Sequence, residues 1–270
     1  MKKIKNPLIR RIPKELIGDW KKYLVVFLFL VLTIGFVSGM YVANESMITS
    51  ANEGVTKYKQ EDGHFELKKQ ADATLLSAIE TGEKADFKAT KTTLYENFFR
   101  NEEEDYNNDG KKDGTIRVFA KTKDINLACM LQGSFPQKAD EIAIDRMHAD
   151  NVGIKVGDTV TVSGETYKVV GLLAYVNYST LHEKTTDLMF DALKFDVAMV
   201  TQDGFDRLHK SIHYTYAWKY ETEPADEAGE KTRSDNFMRA LLTQVVVADN
   251  ELEDYTPKYG NPAINFATDD

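Results

Sequence analysis

Asp105, Asn107, Asp109, Gly110 and Asp113 stand at the spacing that opens a calcium-binding loop. Oxygen ligands at alternate positions, with glycine at the sixth, suit a hard cation. The twelfth position should supply a bidentate carboxylate, and here it is Ile116. No helix pair flanks the run. It reads as a solvated acidic turn, with calcium as the open alternative. The five histidines are His64, His148, His182, His209 and His213. Only His209 and His213 have ligand-like i, i+4 spacing. That pair needs one continuous helix, yet Tyr214 to Tyr216 has the character of a strand, which argues against zinc. Cys129 lies among Leu127, Ala128, Met130 and Leu131. A cysteine in such company reads as core filling rather than as a nucleophile.

The chain has no phosphate-cradling G-x-x-x-x-G-K-[ST] and no G-x-S-x-G. No convergent reactive set emerges. The residues therefore assign no catalytic, cofactor-binding or metal-ligating position and no cofactor, and the chain reads as not an enzyme.

The elements that would position these residues follow from pattern. Ile4 to Trp20 mixes apolar and basic residues, with Leu8, Ile12, Leu16 and Ile17 at helical spacing, and reads as a helix lying on a membrane surface. Pro13 falls near its middle. Ser46 to Lys59 continues helically as a stalk. Gly63 to Lys69 reads as a strand, and Ala71 to Glu80 as a helix stopped by Gly82. Phe87 to Phe99 contains a strand, Asn101 to Gly114 is an acidic loop, and Thr115 to Ala120 is a strand. Glu141 to Ile144 is a strand and Asp145 to Val152 a helix. Thr159 to Ser163 and Thr166 to Leu172 form a hairpin around Gly164-Glu165. Val197 to Thr201 is a strand, and a helix starts at Asp203, capped by Thr201 or Asp203. His213 to Tyr220 is a strand, Pro224 to Gly229 a flexible stretch, Ser234 to Leu242 a helix, and the remainder a polar tail. The interleaving gives an α+β domain.

Charge and hydropathy divide the 270 residues into unlike parts. Tyr23 to Ala43 contains no charged residue and is rich in Leu, Val, Phe and Ile. Its length is roughly 31 Å of helix, which matches a bilayer core of about 30 Å. Before it stand eight basic residues, Lys2, Lys3, Lys5, Arg10, Arg11, Lys14, Lys21 and Lys22, against Glu15 and Asp19. That segment carries +6 within a chain of −9, which leaves −15 for the rest. Basic residues ahead of a span mark its cytoplasmic side, so the large acidic domain is expected on the outer face.

A cleaved signal peptide would have an apolar core of about 7–15 residues and small residues at the cleavage site. Met40-Tyr41-Val42-Ala43 fits poorly, so the segment reads as an uncleaved anchor. Gly35 and Gly39 form a G-x-x-x-G pair that permits close helix contact. With one cysteine the domain has no internal disulfide framework, and its size allows a core of its own. Its acidity argues against nucleic acid. The divisions expected are 1–22 as a basic amphipathic helix, 23–43 as the span, and 44–270 as the outer domain, with a hairpin-containing subdomain at about 125–180.

One stretch carries a resemblance. LQGSFPQKADEIAID over Leu131–Asp145 is followed by VGIKVGDTVTV over Val152–Val162 and YKVVGL over Tyr167–Leu172. This resembles the signature "G-x-x-P…D-E-I-x-I…L-x-V-G-D-x-h…h-x-V-V-G", h apolar, of the extracytoplasmic core domain of FtsX/MacB-like ABC transporter permeases. The basic segment with Arg10-Arg11-Ile12-Pro13 and Gly18-Asp19-Trp20 is similar to Firmicute members. Asn261–Asp270 resembles the approach to the family's second span. The resemblance implies a single N-terminal transmembrane helix followed by a mixed α/β MacB-like core domain on the outside of a bacterial cell membrane.

It further implies transport or envelope signalling powered by a separate ATP-binding cassette ATPase subunit. Three further spans, or a second permease copy, would complete the assembly in the bilayer. Because the sequence stops before those spans, it is expected to be the N-terminal part of a permease, as a truncation, a gene fragment or half of a split protein. A peptide, lipoprotein or antibiotic-like ligand is the class implied for the outer domain. The alternative is a standalone anchored binding or sensor domain.

Overall fold

The computed structural model describes residues 17–81, 92–178, 181–183, 189 and 191–258. The chain divides into two compact units, Met1–Asn52 and Glu53–Asp270. The basic helix expected over Ile4 to Trp20 lies largely outside the described residues, as does the closing Asn261–Asp270 stretch.

In the first unit one helix dominates. α1 runs Trp20–Lys57, so the continuous helix expected from the span through Ser46 into a stalk is present. Trp20–Ser46 has a mean hydropathy of 2.4 and is apolar on every side, with Phe29, Leu32 and Phe36 all at least 70% exposed. A helix apolar all round has no face to give to water and belongs in a protein core or a bilayer. The helix has the length and composition of a membrane span.

The second unit is α+β and is built on two sheets. The smaller is antiparallel. Its strands are β1 (Gly63–Leu67), β2 (Thr92–Glu96), β10 (Tyr214–Tyr220) and β11 (Leu252–Pro257), in the order β11-β1-β10-β2. Helices α2 (Ala73–Thr81) and α5 (Glu227–Val247) supply Leu75, Ile79, Phe237, Leu241 and Val245 to a core shared with Phe65, Tyr216 and Trp218. Asp226 caps α5 by accepting from the Gly229 N–H.

The larger sheet is inserted between β2 and β10. It contains β3 (Phe99–Asp105), β4 (Gly114–Ala120), β5 (Cys129–Gly133), β6 (Glu141–Asp145), β7 (Thr159–Val162), β8 (Glu165–Ala174) and β9 (Phe195–Val200). The order is β5-β8-β6-β9-β4-β3-β7, and β7 also pairs with β8. That extra pairing joins β8, β6, β9, β4, β3 and β7 into a closed ring, which leaves β5 as an outer strand on β8. Closure removes the open edges of the ring strands, which would otherwise invite pairing with other chains. Ile116, Val118, Ile142, Ile144, Val160, Val162, Tyr167, Val169 and Val200 fill one core. The short helices α3 (Arg146–Val152) and α4 (Gln202–Asp206) cover it with Ala149 and Phe205. A second cluster, including Phe119, Ala143, Leu173, Val197 and Met199, packs on the opposite face of the same strands.

Several local readings need correction. Asn101–Asp105 is strand, not loop: the acidic side chains masked a β3 that pairs with β4 from Phe99↔Phe119 to Glu104↔Gly114. The hairpin turn is Ser163-Gly164, one residue earlier than the pattern placed it. Both residues have positive φ, 47° and 88°, as a two-residue type I′ turn requires. α5 begins at Glu227, inside the stretch read as flexible, because Asp226 caps it. β5 and β11 have no sequence counterpart among those expectations. Both are strands of weak alternation that gain their pairing from neighbours.

Gly133 and Gly171 lie opposite each other where β5 meets β8. A Cβ on Gly171 would stand 2.5 Å from the Ser134 carbonyl oxygen, and one on Gly133 would stand 2.2 Å from that of Val170. Backbone cannot yield as a side-chain tip can. Gly171→Ala is expected to cost about 1–3 kcal/mol of unfolding free energy, read by urea denaturation. A cost under a few tenths would mean that β5 does not approach so closely.

Candidate functional site

The barrel's apolar inner face carries buried carboxylates, Glu104 and Asp196 among them. Register sets them there: Glu104 lies opposite Val162, and Asp196 opposite Ile116, both partners being core residues. Above them α3 begins. Asp145 is its N-cap, in extended backbone, and its carboxylate accepts from the Met147 and His148 N–H groups. That geometry turns the His148 ring inward. Its Nε2 lies 3.3 Å from Glu104 Oε1. Among the described residues Glu104, His148 and Asp196 bring one ligand-capable atom each within 4.8 Å of one another. All three are 0% exposed.

The contacts behind these atoms are fixed. His148 Nδ1 stands 2.8 Å from the Ala192 carbonyl oxygen. A carbonyl only accepts, so Nδ1 carries a proton. Asp196 Oδ1 accepts from the Asp145 and Val197 N–H groups, at 3.2 and 2.7 Å. Asp196 Oδ2, both Glu104 carboxylate oxygens and His148 Nε2 are buried without a hydrogen-bond partner of good geometry. Burial pulls the His148 pKa down, but the Asp196 charge and Glu104 outweigh it and hold the imidazole up at about 9. Burial drives the Asp196 pKa well above the ordinary carboxylate range. Burial also raises that of Asp145. The cluster therefore favours protons, or another cation, at its centre.

The candidates raised from sequence end elsewhere. In the acidic loop, Asp105 accepts from the Asp109 and Gly110 N–H groups, and Asp113 from those of Tyr106 and Asn107. These carboxylates serve to shape the turn between β3 and β4. His209 is exposed beyond α4, whereas His213 stacks on Phe99 at 4.5 Å and bonds Glu66 Oε1 through Nδ1 at 2.6 Å. No helix joins the two. Cys129 is half-exposed on β5 and accepts from the Tyr58 hydroxyl at 2.8 Å, so it is not core filling.

Local spacing could not assemble Glu104, His148 and Asp196, which come from three distant parts of the chain. One signal was legible: a lone aspartate in the otherwise apolar run Phe195–Val200.

A second histidine offers a pH test. His64 Nδ1 lies 2.6 Å from Glu61 Oε1, and its Nε2 lies 3.9 Å from Asp254. Burial lowers its pKa, but the Glu61 charge and hydrogen bond, with Asp254, raise it on balance above the ordinary value. The stability this supplies is complete below the unfolded value of about 6.5. It is lost as pH rises through the higher folded value. His64→Gln should flatten that limb of a stability–pH curve; an unchanged limb would contradict the pairing.

No family model matches the sequence, and no curated protein matches it. Solved structures do. One is the extracellular domain of the noncanonic ABC-type transporter YknZ from Gram-positive bacteria, at 13% identity and a TM-score of 0.35, covering 71% of this chain and 100% of that one. Another is the periplasmic region of MacB from Actinobacillus actinomycetemcomitans, at 9% identity and a TM-score of 0.38, covering 76% and 94%. Both likenesses are distant.

Proposed function

We propose that this chain is a permease component of an ABC-type transporter. α1 crosses the membrane with the basic N-terminal segment in the cytoplasm, and the two-sheet domain stands outside. A separate ATP-binding subunit drives it for export or envelope signalling, and the outer domain receives a peptide, lipoprotein or antibiotic-like ligand. The observation that carries this reading is the signature from Leu131 to Leu172. It falls on one contiguous structural unit: β5, β6, α3, β7 and β8.

The signature's residues hold positions that backbone geometry demands. Gly133 and Gly171 allow β5 to approach β8, and Asp145 caps α3. Asp158 closes the turn before β7 by accepting from the Lys155 N–H. The motif thus specifies an architecture, and the apolar helix ahead of it ties that architecture to a membrane.

Affinity purification of the full chain from native bacterial membranes, in mild detergent, tests the coupling. An ATP-binding cassette subunit is expected to co-purify. Its absence, with the chain itself recovered intact, would instead favour an anchored sensor without transport.

A further inference from the structure

We propose that Glu104, His148 and Asp196 form a structural binding site for one divalent transition-metal ion of the zinc class. Four features of the geometry converge on it. The first is the ligand set. One imidazole nitrogen with carboxylate oxygens suits zinc, whereas magnesium and calcium take oxygen alone. The second is spacing. Two ligand atoms each about 2.0–2.1 Å from a tetrahedral zinc stand roughly 3.3 Å apart, and His148 Nε2 and Glu104 Oε1 are separated by 3.3 Å. Asp196 is the third ligand, with a carboxylate oxygen within 4.8 Å of the other two.

The third feature is the outer support. A metal-bound histidine commonly donates its other ring N–H to a carbonyl or carboxylate, which fixes the ring and directs its lone pair. His148 does this to Ala192, leaving Nε2 aimed at the cluster. Asp196 is likewise held by two backbone N–H groups on Oδ1, so that Oδ2 alone is free.

The fourth feature is charge. A dication at the centre lets the buried carboxylates of Glu104 and Asp196 both ionise opposite a cation. A dication with neutral His148 and the carboxylates of Glu104 and Asp196 sums to zero at the site.

Complete burial makes this a closed, structural site that would tie β3, α3 and the start of β9 together. Tyr106 packs edge-on to His148, with ring centres 5.8 Å apart, and on its other side lines a surface groove.

The test uses the full chain, tag-free, in detergent micelles, stripped with EDTA and then offered Zn²⁺ alone. Mass spectrometry of the metal content should find about one zinc per chain, and zinc should raise the thermal unfolding midpoint. Mg²⁺ in the same assay should leave the midpoint unmoved. Asp196→Asn keeps the Oδ1 acceptor but loses the charge, and Glu104→Gln is isosteric. Each should weaken zinc binding roughly tenfold or more, whereas His209→Gln/His213→Gln should bind as the parent does. Absence of zinc from the parent, parent-like affinity in D196N or E104Q, or loss in the His209/His213 variant would overturn the site. X-ray absorption of the zinc-loaded parent decides the matter should either variant fail to fold. One imidazole with oxygen ligands supports the assignment, and a sulfur ligand contradicts it.

Discussion

Trp218→Ala is expected to lower the unfolding free energy by about 3–5 kcal/mol, the range for removing a large buried aromatic. Trp218 sits on the central strand β10 and is 0% exposed. Its ring lies 4.7 Å from that of Phe237 on α5, 5.2 Å from Tyr255 on β11 and 6.4 Å from Phe65 on β1. One side chain thus joins the helix layer to three strands. Alanine would leave a void that these elements cannot all move to fill, since β10 is held by β1 on one side and β2 on the other. Trp218→Phe keeps an aromatic body and should cost well under half as much. Chemical denaturation followed by circular dichroism reads both. A cost below about 1 kcal/mol for the alanine variant would mean that the smaller sheet is not organised around this ring.

The second large effect concerns the buried charges. In the metal-free protein, His148→Leu would leave Glu104 and Asp196 facing each other inside the barrel with no cation. Breaking a buried pair from one side costs about 3–5 kcal/mol. Removing all three together is far milder, because none of the three charges then remains to be desolvated. The triple variant Glu104→Gln/His148→Leu/Asp196→Asn should accordingly be more stable than His148→Leu alone. Such non-additivity is the signature of groups that share one site. Additive losses would show that the three side chains do not interact. This holds for any cation at the centre, proton or metal, so it tests the cluster separately from the zinc assignment.

The sequence disclosed most where a single physical pattern dominates. The long apolar helix was legible because no charge interrupts Tyr23 to Ala43. The β6–α3–β7–β8 stretch was legible because strand alternation, an Asp cap and glycines at turns agree with one another. β3 was not. Its run of four acidic or amide residues from Asn101 to Glu104 has the composition of a loop. It is strand because Glu102 and Glu104 are buried in the barrel, with Glu102 accepting from the Lys210 N–H and the Ser163 hydroxyl. β11 was hidden for a similar reason: it gains strand structure by pairing with β1, far away in sequence. The buried cluster was illegible as a set. Closure of the barrel, through the pairing of β7 with both β3 and β8, puts Glu104 and Asp196 on one inner face. No local spacing encodes that.

Sidedness of the membrane is the point on which the transport reading turns. Reporter cysteines replacing Lys111 in the acidic loop and Lys22 beside the span would read it, in a Cys129→Ser background so that each is unique; both lysine side chains are at least 80% exposed. Intact bacteria would be treated with a membrane-impermeant maleimide, before and after permeabilisation. Labelling at position 111 in intact cells, with labelling at position 22 only after permeabilisation, is the expected result. Labelling at position 22 in intact cells, or at position 111 only after permeabilisation, would contradict a domain held outside the membrane by its N-terminal helix.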